Sequence, residues 1–165
     1  MIKKRTATHA RASLLDRLID LEPEAQQELH PLRALPIKAW RLAFLRDLEW
    51  LLNTYCPIVA AELEQRERTV IDYGLTDFST FFTRSREDHQ KLVKILRNTL
   101  AIYEPRLKEV SIVIAPSEND HLSHSELQVG LDARLDATLL MDDVEEPISF
   151  KIKGGVNGGV KIVSE

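Results

Sequence analysis

The change of period at Tyr103-Glu104-Pro105-Arg106-Leu107 constrains the fold more than any other feature of the sequence. Ahead of it, Leu92, Ile95, Leu96, Thr99 and Tyr103 recur at helical spacing on one face. Beyond it, Val110, Ile112 and Ile114 alternate with their neighbours as a strand does. Pro105 lacks an N–H, cannot sit inside a helix, and biases Glu104 toward extended backbone. On extended backbone Glu104 and Arg106, two apart, project to the same side. An acid and a base are thus presented together at a helix-to-strand switch, which suits recognition by charge-assisted hydrogen bonds. The same residues also fit a helix stop with a solvated ion pair, which contributes only about 0–1 kcal/mol.

The rest of the pattern predicts helices first and a sheet afterwards. Residues 1–12 read as flexible, and Ser13 caps a short helix bearing Leu14, Leu15, Leu18 and Ile19. Three prolines between 22 and 36 mark a connection. A strong helix follows, with Pro36 near its first turn and a stripe of Ile37, Trp40, Phe44, Leu45, Leu48, Leu51, Leu52 and Tyr55. Residues 69–75 are short and apolar and turn at Gly74. Thr76 or Asp77 can cap a helical turn through Phe78, Phe81 and Phe82, and Ser85 with Asp88 resembles a capping box. The strand at Val110 to Ile114 is apolar enough for burial on both faces. Leu127, Val129, Leu131, Ala133 and Leu135 face one way on a long strand, opposite Gln128, Gly130, Asp132, Arg134 and Asp136. Ile148, Phe150 and Ile152 form another strand, and a glycine-rich turn leads to a short last one at Val160 to Val163. This is an α+β layout, N-terminal helices packed on a small antiparallel sheet. It divides into a flexible basic arm with a short docking helix (1–30) and a single α+β domain (31–165).

The chain of 165 residues is large enough to bury a core without disulfide staples. One cysteine, Cys56, cannot form an internal disulfide, which suits a reducing compartment. No segment has the length to insert in a bilayer and no signal-peptide pattern opens the chain, so a cytoplasmic location is expected. A net charge of −4 gives no drive toward nucleic acid. The charge is nevertheless segregated. Lys3, Lys4, Arg5, Arg11 and Arg17 make the N-terminal arm basic, while 118–146 is acidic with Arg134 its only Lys or Arg. Such an arm reads either as a solvated tail or as an element, with Leu14, Leu15 and Arg17, that docks on an acidic partner.

Catalytic and metal patterns are weak. His121 and His124, near Glu118, Asp120 and Glu126, read as a polar loop more readily than as a metal loop. Gly154 to Gly159 has the glycine spacing of a phosphate loop, but Val160 stands where lysine is needed and no helix follows, so it reads as a hairpin. Asp47, Glu49 and Glu104 are the best candidates for a glycosidase pair. No cleft is visible to hold a sugar between them, and Asp47 and Glu49 read as helix-surface acids. No cofactor motif is present, and neither a catalytic nor a metal residue is assigned.

Four motifs in order carry a resemblance. They are Ser13-Leu14-Leu15-Asp16-Arg17-Leu18, Arg46-Asp47-Leu48-Glu49-Trp50-Leu51-Leu52-Asn53-Thr54, Asp72-Tyr73-Gly74-Leu75-Thr76-Asp77 and Tyr103-Glu104-Pro105-Arg106-Leu107, followed by the alternating strand. Together they resemble the TssE family of type VI secretion baseplate subunits, within the lysozyme-like baseplate wedge proteins of contractile phage tails. Tyr55 and Thr76 depart from the residues usual there, arginine and proline. The resemblance implies a non-catalytic structural subunit with a fold like the sheath handshake domain. It implies TssF, TssG and TssK as baseplate partners, TssB/TssC as the sheath it helps to nucleate, and a cytoplasmic baseplate at the inner-membrane complex of a Gram-negative bacterium. It also implies that Glu104, Pro105 and Arg106 dock on the helical core of the wedge. The competing expectation is a peptidoglycan hydrolase, from the lysozyme-like label of the phage relatives.

Overall fold

The computed structural model describes residues 9–19, 23–24, 34–77, 85–114, 132–141, 144–154 and 160–164. Their elements run β1 (His9–Arg11), α1 (Leu14–Leu18), β2 (Ala34–Pro36), α2 (Ile37–Asn53), β3 (Tyr55–Cys56), α3 (Ala60–Leu63), a 3₁₀ turn (Val70–Asp72), β4 (Leu75–Thr76), α4 (Arg86–Tyr103), β5 (Leu107–Ile114), β6 (Asp132–Met141), β7 (Val144–Gly154) and β8 (Val160–Ser164). The expected helical turn at Phe78, Phe81 and Phe82, the loop carrying His121 and His124, and Leu127 to Leu131 lie outside the described residues.

β5, β6, β7 and β8 form an antiparallel sheet in sequential order. Its inward residues follow from period-two alternation: Ala133, Leu135, Ala137 and Leu139 on β6, and Ile148, Phe150 and Ile152 on β7. Against them α2 sets Trp40, Phe44, Leu48, Leu51 and Leu52, and α4 sets Leu92, Ile95, Leu96 and Leu100. The outward residues Arg134, Lys151 and Lys153 remain exposed. The α+β class expected from the sequence is therefore the fold observed, two helices covering one face of the sheet. Pro147 is tolerated in β7 because β8 pairs only with Phe150 to Gly154, which leaves β7 a local edge at the proline.

Three expectations are corrected. β5 is not buried on both faces, since Val113 is 58% exposed. A bulge lies between Lys108 and Ser111, with Glu109 at φ 53. It shifts the phase so that Leu107 and Ile112, an odd number apart, both reach the core. Tyr55 leaves the α2 stripe, because the helix ends at Asn53 and the tyrosine is exposed on β3. Residues 9–12 do not extend freely: β1 pairs antiparallel with β2, and Ala10 joins the core cluster.

The segment after α3 inverts its apparent polarity. Val70 is 88% and Ile71 79% exposed, whereas Asp72 is fully buried. Asp72 accepts from the Thr69 N–H at 2.9 Å while the Thr69 side chain accepts from the Asp72 N–H, closing a capping box; Asp72 also accepts from the Thr69 hydroxyl at 3.1 Å and pairs with Arg66. The Tyr103 hydroxyl donates to the Thr69 carbonyl at 2.8 Å, tying the turn to the end of α4. Gly74 then adopts φ +118, and a Cβ there would meet the Thr54 carbonyl oxygen at 2.3 Å. Gly74→Ala is expected to lower stability by about 1–3 kcal/mol or more, from the positive φ and the clash together. Urea denaturation measures this, and an unchanged midpoint would refute the assigned geometry.

Candidate functional site

Pro105 ends α4 as its chemistry requires, and Glu104 is the C-cap, its N–H donating to the Leu100 carbonyl at 2.8 Å. The Leu107 N–H returns to the Glu104 carbonyl at 3.0 Å, so the chain turns tightly into β5. The Arg106 carbonyl accepts from the Leu140 N–H at 2.8 Å, which locks this turn to β6.

Within the turn, Arg106 grips Glu104 in a bidentate pair, Nε to Oε2 at 3.0 Å and Nη2 to Oε1 at 2.9 Å. The same guanidinium lies 5.0 Å from the centroid of Phe44 and 5.9 Å from that of Trp40. The two rings are parallel, 6.1 Å apart on successive turns of α2. Arg106 Nη2 also stands 3.6 Å from Asp47 Oδ2. Asp47 accepts from Arg46 Nη2 at 2.7 Å, and Arg46 Nη1 reaches Asp16 Oδ1 at 2.9 Å. Ser13 caps α1 through the Asp16 N–H and donates its hydroxyl to Asp16 Oδ2 at 2.7 Å. The result is an alternating ladder, Asp16–Arg46–Asp47–Arg106–Glu104, that joins α1, α2 and the α4–β5 turn. Three carboxylates share two guanidiniums, and Arg46 stacks 4.8 Å from the Trp50 ring centroid.

Beside the ladder lies a cleft of about 520 Å³, lined by Ala10, Arg11, Ala12, Ser13, Arg17, Trp40, Arg106 and Leu140. The Trp40 indole N–H donates to the Arg11 carbonyl at 2.9 Å and holds β1 against α2 at its edge. Among the described residues that line it, three are arginines and none is a carboxylate.

The residues singled out from the sequence fall into two groups. Arg106 and Arg17 meet at the cleft, and Pro105 is exposed at its turn. Leu14 and Leu15 are exposed on α1. Glu104 is only 5% exposed and faces Arg106 rather than solvent. Asp47 is not a plain surface acid, since it bridges Arg46 and Arg106. Asp16, Arg46, Trp40 and Arg11 were not singled out as site residues. Ser13-x-x-Asp16 has capping-box spacing, a signal that could have flagged Asp16. Nothing in the sequence brings Arg11 beside Arg106. Cys56 is buried and unbonded. Among the described residues no His, Cys, Asp and Glu group has a metal-binding arrangement. Among them, too, no helix is long and apolar enough to cross a membrane.

Residues 41–139 match the family described as baseplate wedge protein gp25. The match covers more than half of the chain, and the chain belongs to that family. The fold is also similar to a chain in a solved structure titled the baseplate complex from the type VI secretion system. The two are 21% identical, cover 72% of this chain and 97% of that one, and give a TM-score of 0.48. No curated protein matches the sequence.

The ladder has opposite acid responses at its two ends. Arg46, by its hydrogen bond, holds Asp16 below the ordinary 3.8 against the effect of burial. Its contribution is complete above 3.8 and is lost as pH falls through the lower folded-state value. Burial raises Glu104 above 4.5, more than Arg106 lowers it, and Asp47 adds to the rise. The native state therefore holds this proton more tightly than the unfolded chain, and stability declines as pH rises from 4.5 through the raised value. Glu104→Gln is expected to remove that decline, and Asp16→Asn to flatten the loss of stability below 3.8. Urea midpoints measured across this range check both, and curves parallel to wild type would contradict the assignment.

Proposed function

We propose that this chain is a structural, non-catalytic subunit of a type VI secretion baseplate. In this reading it works in the cytoplasm, where the baseplate meets the inner-membrane complex of a Gram-negative cell. The observation that carries the reading is membership of the baseplate wedge family over residues 41–139, a span that holds Arg46, Asp47, Glu104 and Arg106. Residues 31–165 form the wedge domain in this reading. The segment 1–30 serves as the basic arm, fastened to that domain through β1 and the Asp16–Arg46 pair.

Docking on TssF and TssG falls to the turn at Glu104, Pro105 and Arg106, with Leu14, Leu15 and Arg17 of α1 as a second contact. TssK completes the baseplate. Exposed leucines on a short capped helix support the second contact, because solvent exposure of such residues has no stabilising use. The sheath proteins TssB/TssC meet the sheet at β8, an edge strand, by β-augmentation, and this is where a likeness to the handshake domain would act.

A hydrolase reading draws on one observation, the raised Glu104 carboxyl, because a general acid needs such a group. Both Glu104 oxygens are taken by Arg106, and among the described residues no carboxylate lines the neighbouring cleft. These features favour the structural reading.

Co-expression with TssF and TssG tests the docking. Glu104→Ala and Arg106→Ala should reduce capture by about tenfold or more while the chain stays folded by circular dichroism. Full capture by both folded variants would end the docking reading. Deleting residues 161–165 retains Val160 and its two hydrogen bonds to the Asn53 side chain, at 2.7 and 2.8 Å. Sheath nucleation should be lost and wedge binding kept, and undiminished sheath assembly would rule the edge out. Clearing of a peptidoglycan suspension by the purified chain, abolished by Glu104→Ala, would overturn the non-catalytic role.

A further inference from the structure

The cleft beside the ladder has a chemistry of its own. Arg11, Arg17 and Arg106 line it, and Trp40, Leu140, Ala10 and Ala12 supply apolar surface between them. Lys3, Lys4 and Arg5 precede it in the sequence and add positive charge to the same end of the chain. A volume near 520 Å³ admits a short peptide segment, about one turn of a helix 10–12 Å across. Guanidinium groups set around an indole select carboxylates flanked by apolar side chains. Phosphate would be served by the charges alone, without the indole and leucine.

We infer that this cleft binds an acidic segment of a wedge partner, its carboxylates received by Arg11, Arg17 and Arg106 and its apolar side chains packed on Trp40 and Leu140. This rests on the docking reading and gives it a partner chemistry. It also changes the part played by Glu104. That carboxylate is buried and holds Arg106 in a fixed orientation over Phe44 and Trp40, so it is a positioning residue, and Arg106 is the contact. Asp47 braces the same guanidinium from the α2 side.

Two measurements on the full chain test this. The chain has two tryptophans, so Trp50→Phe leaves Trp40 as the only indole reporter and keeps an aromatic ring beneath Arg46. Its fluorescence is titrated with the probe acetyl-Leu-Glu-Glu-Phe-Glu-amide, with the same peptide carrying glutamine for glutamate, and with a short DNA duplex. The acidic peptide should shift the emission and saturate. The glutamine peptide should bind about tenfold or more weakly, and the Arg11→Glu/Arg17→Glu variant should not respond. An equal response to both peptides, no response, or tighter binding of the duplex would each overturn the inference.

The second measurement is capture by co-expressed TssF and TssG, with Arg97→Glu on the exposed face of α4 as a charge control. Arg11→Glu/Arg17→Glu should lose capture and Arg97→Glu should keep it. If Arg11→Glu/Arg17→Glu captures normally while Arg106→Ala fails, docking stands and the cleft falls. If every variant captures normally, the docking reading and the inference fall together.

Discussion

The bidentate grip of Arg106 on Glu104 is the contact on which the junction of α2, α4 and β5 depends. It closes the turn where α4 becomes β5, and the same guanidinium lies against Phe44 and Trp40 of α2. One side chain thus fastens the last turn of one helix, the middle of another and the first strand of the sheet. The pair is desolvated on the Glu104 side and partly wet on the Arg106 side, with side-chain exposures of 6% and 30%. That gradient fits a charge held ready at a surface, with its counter-charge kept inside. A pair buried at both ends would have no face to offer, and one exposed at both ends would have no fixed orientation.

How far the sequence reveals this depends on range. Contacts close along the chain are legible: Ser13 capping α1, Ser85 capping α4, Pro105 stopping it, and the same-side relation of Glu104 and Arg106. Each follows from backbone geometry over three or four residues. The strand faces on β6 and β7 are legible for the same reason, since alternation is local. The ladder and the cleft are not, because they join residues far apart. Arg46 finds Asp16 across thirty positions, Arg106 finds Asp47 across fifty-nine, and Arg11 reaches the cleft through pairing of β1 with β2 and the Trp40 bond to its carbonyl. Periodicity carries no information about which helix faces which turn.

Residues 69–75 show a different limit. Val70 and Ile71 suggest burial by their chemistry, and Asp72 suggests exposure, yet all three are reversed. The reason is hydrogen bonding, since a carboxylate with one oxygen filled by the Thr69 N–H and hydroxyl and the other paired with Arg66 can be interior at little cost. Average burial preference says nothing of such a case, which is decided by partners and not by residue type.

The attachment of β8 has a consequence for how the molecule opens. Five pairs to β7 and the Asn53 side chain hold it, and that clip joins positions separated by 107 residues. Buried Val160 joins the core cluster and partly buried Ile162 packs on it, so β8 adds fewer residues to the core than the other three strands of the sheet. Fluctuations that free β8 therefore expose less of the core than those that free β6. β8 is thus the strand of this sheet whose release costs the core least, and it lies at the other edge from β5, the strand that leaves the charge ladder.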